Sequence, residues 1–534
     1  MEAPPPTPIR ALGPVLGRRL SVLDRPVVVA AAVAAMVGGS VLLRMEGLGE
    51  WFWMDEGISV GIASHPLARI PGLMARDGSP PLYYLLLHGW MRLFGGSEVA
   101  THALSLSVAV MAIPVGLWAG WSLFGRRVGW ITAVLLATCP FISTYSSETR
   151  MYTLVILEGL VATASYLHAF VDDRPRYAAV FVVAMVALLY THNWGLYVGL
   201  AAVLGLVPCC ARLAPEARRR LLVRAGAAFG AIGVLYLPWV PTLLRQARHT
   251  GAPWSPVPSA RLAVSTLAEV LGDPTERVLI VLVLTAAVAL VSILRRTTTR
   301  EGRAAAALVV LVAVTLGVGW LASQVKPAWS VRYLGALLPA LVLLAALGLA
   351  RAGARGVLGL LLIMVIWTEP VGRLTGDRHA VHRDGKASDK ALAAVARPVL
   401  RAGDLVLATQ MEEVPVLRHY LGPRLRYADP TGLVADPSVA DWRDATARLD
   451  AARPAAWLPS VIDTLPAGGH VYLVCPASTD TPGMTWFRIM DARCGEAAAT
   501  LQSTSSLTRV PLSFSRDAIE GGARTVLLFE KAGL

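Results

Sequence analysis

Long uncharged apolar runs recur along the first 370 residues and then stop. Eleven of them approach the length of about 20 residues that a bilayer demands of a spanning helix. They are residues 27–44, 101–123, 128–144, 151–170, 177–191, 194–211, 225–240, 277–294, 304–322, 333–350 and 356–370. A shorter run, 81–94, carries His88 and Arg92. It is predicted to be a helix lying in the interface, where aromatic rings and long cationic side chains are comfortable. Beyond residue 370 the pattern changes. DLVLAT (404–409) and HVYLVC (470–475) have strand length, DWRDATARLDAA (441–452) has helical spacing, and RTVLLFE (524–530) is fit to close a sheet. Such alternation predicts a small α/β domain. The fold class expected is a polytopic α-helical membrane protein with about 11 transmembrane helices and a C-terminal α/β domain. It divides into an N-terminal segment 1–26, a transmembrane domain 27–370 with a long loop 45–100, and the α/β domain 371–534.

Composition agrees. Of the 534 residues, 55% are hydrophobic and only 16% charged, against about 25% charged in soluble domains. That excludes a soluble enzyme, and it excludes disorder, which needs low hydrophobicity. The net charge of +13 would suggest nucleic acid in a soluble chain. Here it is loop charge that orients helices, and no nucleic-acid partner is expected. With the N-terminus in the cytoplasm, eleven crossings put nineteen arginines in the short inner loops and nine basic residues in the longer outer ones. Every inner loop then obeys the positive-inside rule. Residues 1–26 show no signal-peptide cleavage pattern, so the first span is expected to stay as an anchor. The expected location is the cytoplasmic (inner) membrane, multi-pass, with the C-terminal domain extracytoplasmic. There Cys475 and Cys494 form a disulfide or stand as two thiols; spacing alone does not choose. Cys139, Cys209 and Cys210 read as small helix residues. No repeat, zinc spacing or phosphate-binding glycine loop is present.

The unusual polar residues fall on one side. The first outer loop supplies Asp55, Glu56, His65 and Asp77; the third span exits into Glu148, Arg150 and Tyr152; the fifth into His192 and Asn193; the ninth into Lys326, Arg332 and Tyr333. Ionisable groups at membrane depth are costly and mark function. Sugar transfer from a phosphate needs a carboxylate to take the acceptor's proton and cations to hold the departing phosphate. Asp55 is the candidate base and Glu56 its catalytic partner, binding acceptor or metal or orienting a neighbour. Arg150, Lys326, Arg332 and Tyr333 are candidates for the donor phosphate. Asp77, Glu148, Tyr152 and His192 are candidates for substrate binding. Oxygen ligands of this kind suit Mg, Mn or Ca, although nothing in the sequence requires a metal.

The pair Asp55-Glu56 after a first span, the run Asp77-Gly-Ser-Pro-Pro-Leu-Tyr-Tyr, the turn Glu148-Thr-Arg150-Met-Tyr152 and the late Arg332-Tyr333-Leu together resemble the GT-C superfamily of membrane glycosyltransferases. Within it they are most similar to bacterial relatives of protein O-mannosyltransferases and of the lipid A aminoarabinose transferase. The resemblance spans about residues 27–340. It implies a polyprenyl-phosphate-linked sugar donor used on the outer face with inversion at the sugar carbon, and a glycan, lipid or protein acceptor among the membrane lipids. Ser79 stands where many of these relatives have His. Four lysines against 45 arginines point to a GC-rich coding genome, in which mannose or arabinose on a decaprenyl carrier is plausible for cell-envelope glycan.

Plainer readings compete at each position. Asp55 is also placed to cap a helix, and Asp77 before Gly78 is a turn residue. Glu148 is placed to pair with Arg150, while Arg150 and Arg332 are placed to snorkel at helix ends. His192 reads as an interfacial polar residue, and Trp51, Trp53, Trp194 and Trp329 as an aromatic belt. Different in class is a transporter or lipid-linked-sugar flippase, which would show repeats and midplane polar sites; a binding protein that uses its outer domain is a third class.

Overall fold

The computed structural model describes residues 25–211, 213–296, 298–376, 388–477, 485–512 and 524–533. The N-terminal segment expected over 1–26 thus lies almost wholly outside the described residues. All eleven apolar runs are helical. In chain order the helices are α1 (Pro26–Arg44), three short ones in the first loop, α2 (Met54–Ala63), α3 (Ile70–Asp77) and α4 (Leu82–Phe94), and then α5 (Glu98–Phe124). Next come α6 (Arg126–Thr138), α7 (Pro140–Ser146), α8 (Tyr152–Phe170), α9 (Arg176–Thr191), α10 (Gly195–Leu204) and α11 (Leu206–Cys210). The remainder of the helical part is α12 (Pro215–Tyr236), α13 (Val240–His249), α14 (Ala260–Val270), α15 (Arg277–Leu294), α16 (Arg300–Val325), α17 (Leu338–Arg351) and α18 (Ala354–Gly376).

Among the described residues seven helices are long and apolar enough to cross a membrane, eight with the bent α6–α7 pair; α9, the α10–α11 segment and the start of α18 are apolar but shorter. The 49° bend between α6 and α7 falls at Cys139, where Pro140 pushes the preceding residue out of the helical region (ψ 122°). α8 and α17 are enclosed on nearly all sides, whereas α1 and α15 turn almost all of their apolar surface outward. That outward surface is what lipid replaces water against. The run 333–350 begins as a 3-10 segment, Val331–Leu337, before α17, and this tighter winding carries Arg332 and Tyr333.

The C-terminal part is the expected α/β domain. Its helices are α19 (Ser388–Ala396), α20 (Val414–Leu421), α21 (Ala445–Ala451), α22 (Pro454–Asp463) and α23 (Thr485–Ser503). Its strands are β1 (Leu405–Ala408), β2 (Arg426–Asp429), β3 (Gly432–Leu433), β4 (His470–Ala477), β5 (Leu507–Val510) and β6 (Arg524–Lys531), in the order β3-β2-β1-β4-β6-β5. β1 runs parallel to β2 and β4, and the remaining pairs are antiparallel. Alternation along the strands gives two buried faces. Leu405, Leu407, Val471 and Leu473 pack on α22 and α23, and Val406, Ala408, Tyr472 and Val474 pack on α19 and α20. The three strands expected from DLVLAT, HVYLVC and RTVLLFE are β1, β4 and β6. The helix expected over 441–452 is shorter, because Asp441 folds back to accept from the Arg443 amide and guanidinium and the helix starts only at Ala445. Cys475 on β4 is bonded to Cys494 on α23, with Cα atoms 5.6 Å apart, so the pairing left open by spacing is a disulfide.

The C-terminal domain rests on α2. A Cβ on Gly57 would lie 2.6 Å from the Val416 Cβ, and one on Gly61 would lie 1.9 Å from the Ser438 carbonyl oxygen. Two glycines one helical turn apart thus let α20 and the 438 loop approach the α2 backbone directly. The Phe52 amide donates to Tyr420 Oη at 2.8 Å, the Trp442 amide to the Arg76 carbonyl at 3.0 Å, and His65 pairs with Asp436 at 2.9 Å.

Candidate active site

The first turn of α2 puts two carboxylates at a helix N-terminus, where the backbone dipole favours negative charge. They do different things. Glu56 is fully buried. Its Oε2 accepts from the Trp53 amide at 3.3 Å, which caps the helix. Its Oε1 accepts from the Thr149 amide at 2.7 Å and from His102 Nε2 at 2.6 Å. The other His102 nitrogen faces the Leu48 carbonyl at 2.9 Å, so both ring nitrogens are engaged. Glu56 therefore ties α2 to α5 and to the turn that carries Arg150.

Asp55, one residue earlier, faces the opposite way. Its Oδ2 accepts from Arg332 Nη1 at 2.6 Å and lies 3.8 Å from Arg150 Nη2. Arg150 is held by the Asp55 carbonyl, Ser59 Oγ and Tyr84 Oη at 3.2, 3.1 and 3.4 Å. Arg332 is stacked among rings, 4.7 Å from the centre of Trp254, 5.3 Å from Trp53 and 5.7 Å from Tyr333. Tyr152 lies under Arg150, and His192 bridges Tyr152 and Tyr333, ring centres 6.0 and 5.1 Å away. Four loops that are distant in sequence thus meet.

The remaining candidates sort by position. Asp77 ends α3, with Gly78 in the left-handed region (φ 101°) as its cap. The turn reading is therefore correct, yet the carboxyl also feels Asp55 and Arg150. Burial raises its pKa, and Arg150 partly restores it. His192 Nδ1 accepts from the Trp194 amide at 3.1 Å. Burial, with Arg150 and Arg332 beside it, pushes its pKa down to about 3, so it stays neutral. Glu148 is buried, and its main-chain carbonyl takes a 2.5 Å bond from Ser105. Lys326 reaches away from Asp55, capping α13 through the Ala247 carbonyl at 2.8 Å.

Sequence reading missed Glu412. It sits in a short 3-10 turn, Met411–Glu413, of the C-terminal domain, packed on α2. Its Oε1 accepts from Gln410 at 2.9 Å, and that amide also contacts the Met54 sulfur at 3.0 Å. The Trp486 indole lies next to it, and Asp55 is near enough to repel it. Burial, chiefly, pushes its pKa up to about 7. No local motif announces it, since only docking of the C-terminal domain brings it here. A carboxyl with a folded pKa above its unfolded value binds more protons folded than unfolded between about 4.5 and 7. Stability from this group is therefore full below that window and lost as pH rises through it, by on the order of 3 kcal/mol. Glu412→Gln should flatten the fall in melting temperature of the purified protein between pH 5 and pH 8. An unchanged slope would remove Glu412 from the account.

The site is shaped for an anion. Arg150 Nε, Arg332 Nε and Trp53 Nε1 are buried with no hydrogen-bond partner among the described residues, and a buried unpaired donor is costly. Among the described residues no three His, Cys, Asp or Glu side chains group as metal ligands. Asp55 is already held by a guanidinium, and Glu56 by two backbone amides and His102. Neither of these two carboxylates is left open to a cation in this arrangement.

The same arrangement of helices is found in solved structures. ArnT from Cupriavidus metallidurans, bound to undecaprenyl phosphate, superposes with a TM-score of 0.60 at 14% identity, covering 93% of this chain and 98% of that one. In its apo state the TM-score is 0.56 at 15% identity, covering 94% and 98%. The chain shares the fold of these ArnT structures. The Archaeoglobus fulgidus oligosaccharyltransferase, tethered with an acceptor peptide, gives 0.55 at 10% identity, covering 92% of this chain and 74% of that one. That oligosaccharyltransferase has also been solved with Zn and sulfate. No family model matches the sequence, and no curated protein does.

Proposed function

We propose that this chain is an inverting glycosyltransferase that moves a sugar from a polyprenyl-phosphate carrier to an acceptor hydroxyl at the outer face of the cytoplasmic membrane. What carries the reading is the Asp55–Arg332–Arg150 cluster with its unpartnered buried donors. It holds one carboxylate, paired with Arg332, and two guanidiniums whose forks match phosphate oxygens. The fold shared with a transferase bound to undecaprenyl phosphate supports it. So does the Cys475–Cys494 disulfide, since such bonds persist in oxidising compartments and the outer side is one. Eleven crossings with the basic loops inside are part of this proposal; among the described residues seven helices, eight with the bent pair, are long and apolar enough to cross.

In the reaction, the acceptor O–H gives its proton to Asp55 while its oxygen attacks the anomeric carbon from the face opposite the phosphate. The bond from that carbon to the phosphate oxygen breaks, and its electron pair leaves with the polyprenyl phosphate. Arg332 and Arg150 receive the added charge, and their stacking and hydrogen bonds hold them ready without reorganisation. Asp55 and the donor phosphate compete for Arg332, so donor binding loosens the Asp55–Arg332 pair and frees the base. Tyr333, Tyr152 and the neutral His192 form the floor beneath the sugar. Mannose and arabinose are the sugars to try first. Purified protein in lipid with radiolabelled decaprenyl-phosphate mannose or arabinose and envelope extract should release polyprenyl phosphate and label a glycan, lipid or protein. Movement of the labelled carrier between leaflets with no transfer would replace the enzyme by a flippase.

A further inference from the structure

A second basic cluster lies away from Asp55, where α13 meets the outer domain. A cavity of about 730 Å³ opens there, lined by Arg245, Arg248 and His249 from α13, Arg443 and Arg448 from the α21 region, and the apolar Leu244. Its charge is not balanced. Asp444 pairs with His249 at 3.1 Å, and Asp441 serves Arg443 at 2.6 Å and Arg448 at 3.5 Å. Arg245 and Arg248 are exposed and have no acidic partner among the described residues. Three residues apart, they share one face of α13. Gln246 and Thr250 occupy the other face, where Gln246 donates to the Met74 carbonyl at 2.8 Å.

Depth decides what such a cluster meets. α12, a 3-10 turn and α13 form one 35-residue helical segment with an apolar middle, Pro215–His249. Between Arg224 and Arg245 there are 20 residues without a charge, which at about 1.5 Å each is the thickness of the hydrocarbon core. Arg245 and Arg248 therefore sit at headgroup level. Below them Leu244 and Leu237 are 54% and 63% exposed, toward the acyl chains.

We infer that this cavity binds the phosphate headgroup of an anionic phospholipid, with the acyl chains running down α12–α13 and the headgroup bridging α13 to the outer domain. A soluble anion would not use the apolar Leu237–Leu244 stripe. A neutral lipid would not need two unpaired guanidiniums. The inference does not depend on the transfer reaction, because neither arginine touches the Asp55 cluster.

The test is labelling of the full purified chain by a phosphatidylglycerol that bears a photoactivatable headgroup, with the crosslinks mapped to peptides. Peptides covering 240–249 and 441–448 should be labelled at least about tenfold more than by the matching phosphatidylcholine probe. The double variant Arg245→Gln/Arg248→Gln should lose that excess, while crosslinks elsewhere on the chain are kept as the internal standard. Equal labelling by the two lipids in the unaltered protein overturns the inference, whether or not the variant folds. So does undiminished labelling in the variant. Complete displacement by millimolar inorganic phosphate would also overturn it, by making the cavity a site for free anions.

Discussion

Asp55→Asn should lower transfer about a thousandfold while the protein still purifies folded and binds donor. Loss of a positioned base costs roughly 10²–10⁴ in rate, and Asn keeps the shape and an acceptor oxygen for the 2.6 Å bond from Arg332. The geometry adds a second expectation. Asp55 and the donor phosphate compete for the same guanidinium, so the neutral Asn should leave donor affinity unchanged or tighten it. Single-turnover transfer and donor binding, measured on the same preparation, separate the two effects. Near-normal turnover would move the base elsewhere, with Asp77 first in line, because its carboxyl also feels Arg150, and Glu56 after it. Weakened donor binding would instead mean that Asp55 holds the donor through a bridging group.

Arg332→Ala should weaken donor binding by about 10- to 150-fold, the loss of one charge-assisted hydrogen bond of roughly 1.5–3 kcal/mol, and should slow transfer further. Arg332→Lys should restore donor binding only in part. The guanidinium does three things at once: it donates to Asp55, stacks on Trp254 and Trp53, and keeps a buried Nε free. An ammonium is a point charge with no planar face and no second fork atom. An arginine that merely anchors the start of α17 at the membrane surface would be replaced fully by lysine. Full rescue of donor affinity in Arg332→Lys would therefore sink the phosphate assignment, whatever the alanine variant does.

The apolar helices and the polar residues that gather at the candidate site were legible in the sequence for a plain reason. A bilayer demands an unbroken apolar run for each helix, and a charge beside such a run is costly enough to mark function. Asp55, Arg150 and Arg332 stand out on that ground alone. β1, β4 and β6 were legible as well, because each is a short apolar run. β2, β3 and β5 are two to four residues long and half polar, so their pairing comes from neighbours rather than from their own pattern.

Tertiary structure alone decided how the polar residues divide their labour. Asp55 and Glu56 are adjacent and chemically alike. Because a helix turns 100° per residue, one faces the arginines and the other faces His102 and the Thr149 amide. Lys326 and Arg332 are six residues apart with the same charge, yet the 3-10 winding after Ser330 sends Arg332 to Asp55 and leaves Lys326 on α13. Glu412 joins the site only because Gly57 and Gly61 let the C-terminal domain settle against α2. Hydropathy along a chain fixes which segments leave water. The facing of a side chain, and what a domain 350 residues away brings to it, is settled only when the helices pack.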